Sequence, residues 1–500
     1  MTARLTIKER NYVIGSALLA LFLGALDALI MSAAMPSIVA ELGGLHLYAW
    51  VYSVYFLSRA VALPIFGKLA DIYHSKHLFL FSIALFLISS IAAGLAQSMS
   101  FLIFCRIFQG IGAGGNFALV YIVLSEVAAP DQRAKTLSLA SSIWGISSVV
   151  GPTLGGFIVS YFSWRWIFFI NIPMGLASLI GIGLFLKEVR SKKLNVSIDF
   201  KGLTLFSTFV LGLLVIFITG GRDLPWTSGK MAALVLFTIL LGAWFYFAEK
   251  NKSEPFIDIN FFKNSNFALG NGATFFSSFT IFAFFAYAPV YIQGGLGLSP
   301  MQVGLAMVSL SLGWSFGSLF LGRFTAGGGG KTGAVTGGLI LLFGSLLTLR
   351  FQLDTTMTEC FIVFLVIGVG MGFVSLSTLI IVQNSVVKED LGVVTSLHQF
   401  GRSLGGTVGV GISGGLATNG LLNNLEKAIE LYPQALVDQL GESIEIILQP
   451  EFSSLIPPDA LVPLRQAVLN GVFSIFWVTV ISALLCLCCC LLLAPDNRNS

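Results

Sequence analysis

Charge is scarce in this sequence. Asp, Glu, Lys and Arg make up 10% of the 500 residues, against 56% that are hydrophobic, whereas soluble domains carry about 25% charge. A water-soluble fold cannot hide that much apolar surface, so lipid is the solvent for much of the chain. Also missing are the ~10-residue alternating segments of a transmembrane barrel. The apolar runs are long and continuous, and a backbone in lipid must satisfy its own hydrogen bonds, so helices follow. No Gly-x-x-x-x-Gly-Lys-[Ser/Thr] loop occurs, which argues against ATP as the energy source. Nor is there a zinc-protease or nucleophile-elbow motif, and no catalytic constellation stands out beyond isolated intramembrane charges, so neither an enzyme nor a cofactor is expected. The net charge of +4 is small and forms no nucleic-acid patch. Six cysteines are too scattered for a disulfide framework. Cys105 and Cys360 lie in or beside apolar runs, and Cys486, Cys488, Cys489 and Cys490 end the last one. They read as apolar packing, with no His or acidic partner spaced for a metal.

What is present is a succession of apolar runs. They predict helices at about 12–35, 48–70, 77–97, 101–125, 135–160, 164–186, 200–220, 229–249, 266–290, 301–323, 332–351, 359–383, 390–417 and 469–493, each near the ~20 residues a bilayer needs. The first run is too long for a cleaved signal peptide and carries Asp27 in its interior. An even number of spans puts both termini on one side. Of the 28 basic residues, 19 fall on the side of the N-terminus, 6 on the other, and Arg59, Arg106 and Arg402 inside helices. The positive-inside rule then places both termini in the cytoplasm. The basic stretch Lys187–Lys201 reads as a linker after a six-helix bundle. Gly420–Val468 is the longest loop and lies outside; it reads either as short surface helices or as a solvated tether. A faint repeat relates Gly67–Asp71 after the second helix to Gly322–Ala326 after the tenth, as in transporters built from duplicated bundles.

Asp27 is the first candidate for chemistry. It lies nine residues before Pro36, about 13 Å along a helix, in the outer half of the membrane. An intramembrane carboxylate costs at least ~2.5 kcal/mol, unless it faces water, pairs with a cation or takes up a proton. Burial raises a carboxyl pKa and a nearby cation lowers it, so a carboxyl balanced between them can load and release protons. Arg106, within Arg106-Ile107-Phe108-Gln109-Gly110-Ile111-Gly112, sits at similar depth and is a candidate partner, either switchable or static. Arg59 can be brought level with Asp27 by an antiparallel second helix, as a counter-ion or as a substrate contact. With Arg402, the three arginines outweigh Asp27, and a cavity of that sign disfavours a dicationic substrate. The fifth helix carries Gly145, Gly151, Pro152, Gly155 and Gly156; glycines let backbones approach and the proline favours a kink. The ninth helix is aromatic, with Phe279, Phe282 and Tyr287 among its rings. They form either a wall for lipophilic ligands or lipid-facing bulk.

These residues resemble the fourteen-helix drug:proton antiporters of the major facilitator superfamily, over nearly the whole chain. Asp27 with Pro36 resembles the first-helix motif, and Gly67, Ala70 and Asp71 the loop after helix two. Arg106, Gln109, Gly110 and Gly112 resemble the fourth-helix motif assigned to proton coupling. Gly145, Gly151, Pro152, Gly155 and Gly156 resemble the fifth-helix antiporter motif; Trp164–Pro173 and the run around Gln399, Arg402, Gly405 and Gly406 are also typical. The departures are His74 and Ser75, where the family expects Gly and Arg after Asp71, Ala326 at the acidic position of the second half, and Leu29 and Ser32 for common Thr and Asn. The tenth helix lacks the acidic residue of some dication exporters.

The resemblance implies an all-α membrane protein with about 14 transmembrane helices, two six-helix pseudo-symmetric bundles and two linker helices. The expected division is 1–190, 191–262 and 263–500, the last including the outer loop 420–468. The implied function is proton-coupled efflux of lipophilic small molecules by a monomer in the bacterial inner membrane. Asp27 and Arg106 would couple protons. Arg59, Gln109, Phe279, Phe282, Tyr287, Gln399 and Arg402 would line the cavity. Gly67 and Asp71 would serve the gate, and Gly151, Pro152, Gly155 and Gly156 the hinge. Export of an endogenous anionic amphipath and a non-transporting scaffold or sensor are the alternatives.

Overall fold

The computed structural model describes residues 6–127, 133–187, 199–220, 224–250, 252, 255, 259–324, 330–386, 391–431 and 458–494. Among them are fourteen long helices. Helix α1 spans Ile7–Leu42, longer than its apolar run, because Thr6 and Glu9 form a capping box that starts it one turn early. It stops at Gly43 and Gly44, whose φ values of 68° and 75° only glycine adopts freely, and the chain turns into α2 (Tyr48–Ile72). Then follow α3 (Ser75–Gly94), α4 (Met99–Val127), α5 (Arg133–Tyr161) and α6 (Trp166–Phe185). Next come α7 (Phe200–Thr219) and α8 (Gly229–Glu249), and then α9 (Ser265–Val290), α10 (Pro300–Phe324), α11 (Gly330–Leu347), α12 (Met357–Asn384), α13 (Leu391–Leu431) and α14 (Pro458–Leu492).

Eleven of these are long and apolar enough to cross a membrane by length and composition. The others are α5, α7 and α13. Glycine, serine and polar residues dilute the hydropathy of α13. Lipid-facing positions are plain on α8, where Leu236, Phe237, Ile239, Leu240, Trp244 and Phe247 are exposed.

The packing repeats. Helix α1 packs on α5 and α6, α2 on α4, and α3 on α4 and α6; one bundle later, α9 packs on α13 and α14, α10 on α12, and α11 on α12 and α14. The bundles meet through α2 with α13 and through α5 with α10, two contacts that the same repeat exchanges. The α7–α8 pair lies against α2 and α13.

Two further boundaries differ from expectation. The helix expected to end near 417 continues to Leu431, and the last helix begins at Pro458 rather than near 469. The segment read as the loop 420–468 is therefore helical at both ends. Close packing sustains it: a Cβ on Gly420 would stand 2.7 Å from the Gly471 carbonyl, and Leu421, Leu464, Ala467 and Val468 are buried. Residues 432–457, and most of the basic stretch 187–201, lie outside the described residues, as does Ala326.

Candidate functional site

Asp27 lies in the middle of α1 and is 1% exposed. Four other helices of the first bundle converge on it. From α4, Arg106 Nη1 donates to Asp27 Oδ2 at 2.5 Å and Gln109 Nε2 donates to Oδ1 at 2.9 Å. From α6, Asn171 Nδ2 reaches the same Oδ1 at 3.5 Å. From α3, Ser90 accepts from Asn171 at 3.0 Å and from Gln109 at 3.3 Å, and donates to the Phe168 carbonyl at 2.9 Å. From α2, the Tyr55 ring lies 3.9 Å from the Arg106 guanidinium carbon, and the Val51 carbonyl accepts from Arg106 Nε at 3.5 Å. Tyr55 also ties α2 to α1, donating to the Gly24 carbonyl at 3.1 Å.

Sequence reasoning found Asp27 and Arg106 because charge inside an apolar run is conspicuous. It assigned no role to Ser90, Tyr55 or Asn171. Asn171, a polar residue between two apolar stretches of one span, was the signal available. Gln109, expected in the substrate cavity, instead lies fully buried against Asp27 and Arg106, accepting from Arg106 Nη1 at 2.8 Å.

The salt bridge of Asp27 is made with Arg106, and Arg59 lies apart from that contact. It is 8% exposed, its guanidinium carbon lies 5.1 Å from the Phe56 ring, and it borders a small cavity with Ala20, Gly24, Ala113 and Asn116. The aromatic residues of α9 face protein, not lipid: Phe279, Phe282, Phe284, Phe285 and Tyr287 are at most 6% exposed. Phe282 meets Phe56 of α2 edge-on at 4.9 Å between centroids, and Tyr287 meets Tyr48 of α2 at 5.1 Å. Tyr48 also donates to the Ala286 carbonyl. Here the two bundles are pressed together. Gln399 and Arg402 sit half-buried on α13, and Arg402 donates to Ser375 of α12 beside the Trp314 ring.

The glycines of α5 seat two partners. A Cβ on Gly151 would stand 2.9 Å from Leu29 Cβ, and one on Gly155 2.6 Å from the Ile30 carbonyl, both on α1 just beyond Asp27. On Gly156 it would stand 2.7 Å from the Pro300 carbonyl of α10, and Gly304 meets the Pro152 carbonyl in the same way. Thus α5 locks to α1 within its bundle and to α10 across the interface. Gly67 has open space around it, and the side chain of Asp71 lies outside the described residues.

The sequence profile of the Major Facilitator Superfamily matches residues 17–410. The chain belongs to this superfamily. Two curated relatives from Bacillus subtilis (strain 168) carry the same assignment further. It is 32% identical to the multidrug transporter protein MdtP over 493 residues, covering 95% of this chain and 91% of that one. It is 30% identical to multidrug resistance protein 3, covering 84% of this chain and 81% of that one. Among solved structures, a bacterial homologue of the human lysosomal transporter Spinster superposes with a TM-score of 0.67 at 14% identity, over 98% and 97% of the two chains. A D-xylose–proton symporter superposes at 0.62 and 13% identity, over 98% and 99%. At such identities these structures establish the major facilitator fold alone. The chain is a multi-pass membrane transporter of that fold.

Proposed function

We propose that this transporter exports lipophilic and amphipathic small molecules, drugs among them, in exchange for protons. The names of its Bacillus relatives support the efflux reading. The observation that carries proton coupling is Asp27, a carboxylate removed from water and held by Arg106, Gln109 and Asn171. A proton on that carboxylate cancels its charge and weakens the hold of Arg106, at a site where an uncompensated charge costs at least ~2.5 kcal/mol. Arg106 then turns to its remaining acceptors, Gln109 and the Val51 carbonyl.

The step from proton to movement runs through α1. Leu29 and Ile30, just past Asp27, fill the glycine groove of α5, and α5 in turn abuts α10 of the other bundle. Loosening α1 from α4 therefore bears on the α5–α10 contact. Gly151, Pro152, Gly155 and Gly156 form the rocking hinge, with Asp71 and Gly67 at the opposite gate. Phe279, Phe282, Tyr287, Gln399, Arg402 and Arg59 border the cleft between bundles. In this reading 1–190 and 263–500 move as bodies, with 191–262 between them, and the protein works as a monomer in the bacterial plasma membrane. Both termini are cytoplasmic, so the Tyr48–Ala286 contact closes the outer side. One charge crossing 100 mV is worth ~2.3 kcal/mol, enough for roughly fifty-fold accumulation.

Drug-driven proton release from everted vesicles tests the assignment. The D27N protein should bind drug and release no protons. Release at the wild-type rate would overturn the role of Asp27.

A further inference from the structure

Ion pairs among the described residues include Asp27–Arg106, Glu41–Arg165, Glu9–Lys187 and those of Lys252 with Asp199 and Glu249. Arg402 is in none of them. It projects from α13, between Phe400 and Leu404, which pack with Leu57 and Val61 of α2. One terminal nitrogen donates to Ser375, the guanidinium carbon lies 5.8 Å from the Trp314 ring, and Nε is buried without a hydrogen-bond partner. The ionisable groups around it are Tyr121 of α4, Arg59 of α2 and His398 one turn earlier on α13. His398 is itself buried, with Nε2 at 2.7 Å from Thr274 and 3.1 Å from Thr378. Among the described residues, the ionisable groups that act on Arg402 are thus neutral or positive.

A guanidinium stays charged in the membrane, and intramembrane charges are expected to pair. Arg402 has an unused donor and a like-charged neighbour from the other bundle. Asp27 is already held inside the first bundle by Arg106, Gln109 and Asn171.

We propose that Arg402 docks the acidic group of an amphipathic cargo, a carboxylate, sulfonate or phosphate, so that the transported molecule supplies the missing negative charge. The guanidinium edge presents parallel N–H groups to such an anion. Trp314 beside it and Phe279, packed with Val408 on the same helix pair, offer apolar surface for the body of the molecule. An anion at this point also relieves the repulsion between Arg402 and Arg59, so bound cargo draws the bundles together. The inference rests on the export reading above and specifies its cargo; it does not depend on proton coupling.

The test is binding of a matched aromatic trio, naphthylacetate, naphthylmethylammonium and naphthylmethanol, measured by calorimetry on the full chain in phosphatidylcholine nanodiscs. The wild-type protein should bind the carboxylate about tenfold more tightly than the ammonium. R402Q should lose that preference, and R402K, which keeps the charge and loses the fork, should fall between. Naphthylmethanol should bind all three proteins alike, which reports that the variants are folded. An unchanged carboxylate-to-alcohol ratio in R402Q, a wild-type preference for the ammonium, or binding of none of the three overturns the proposal. Adding phosphatidylglycerol separates two sources of the same chemistry. Competition with naphthylacetate supports the site with a lipid headgroup as its anion, and no competition supports it with a soluble cargo. Binding needs no gradient, so this result and the D27N proton assay can fail independently.

Discussion

Asp27 and Arg106 meet at 2.5 Å between α1 and α4, each 1% exposed, with no water-facing atom to share the charge. Removing one partner of a buried pair strands the other, at a cost of about 3–5 kcal/mol. The R106Q protein should therefore melt markedly lower than wild type, and D27N/R106Q should recover most of that loss while remaining uncoupled. Thermal unfolding of the purified proteins, set beside drug-driven proton release, checks both halves. Additive losses in the double variant would show that the pair does not act as a unit.

Asn171 donates to both Asp27 and Ser90. Truncation to alanine leaves buried acceptors short of a donor, worth about 1–3 kcal/mol. N171A should lower the melting point and change the pH profile of transport. N171D, which brings a second carboxyl to the cluster, should disturb the profile more. The same melts and a transport rate measured from pH 5.5 to 8.5 (a range of roughly three units around the physiological value) decide it.

Tyr48 holds the bundles together through the Ala286 carbonyl. Y48F deletes one hydrogen bond, about 1 kcal/mol, so the outward-open population should rise roughly fivefold. Single cysteines placed at the α2–α9 contact in a cysteine-free background, labelled from outside with an impermeant maleimide, report the change.

At the crossing of α5 and α10, a Cβ on Gly156 would meet the Pro300 carbonyl at 2.7 Å and the Gly304 Cα at 3.2 Å. Backbone cannot step aside as a flexible side chain does. G156A should push the two helices apart, favour the outward-open form and slow transport several-fold. A wild-type labelling pattern with full transport would count against α5–α10 as the outer seal.

Much of this architecture was legible in the sequence, because each helix must be long and apolar to cross lipid and short basic turns mark the ends. The bounds 229–249 follow correctly from hydropathy alone. The extra turns of α13 and α14 do not, because Gly420 against Gly471 is a contact between segments fifty residues apart. The site was half visible. Asp27 and Arg106 stand out as charges in apolar runs, but which side of α4 carries Gln109 and where Asn171 points depend on how six helices pack. Arg402 reads in the sequence as one more interior cation; that no carboxylate pairs with it among the described residues follows only from its neighbours.

The enclosure of Asp27 has a consequence for leakage. Donors from α4 and α6, backed by a serine of α3, close around the carboxylate, so in the proposed exchange hydronium reaches it only when those helices separate. Under the proton exchange proposed above, acquiring a proton and shifting the scaffold become one event, and the membrane potential is not short-circuited while the protein idles without cargo.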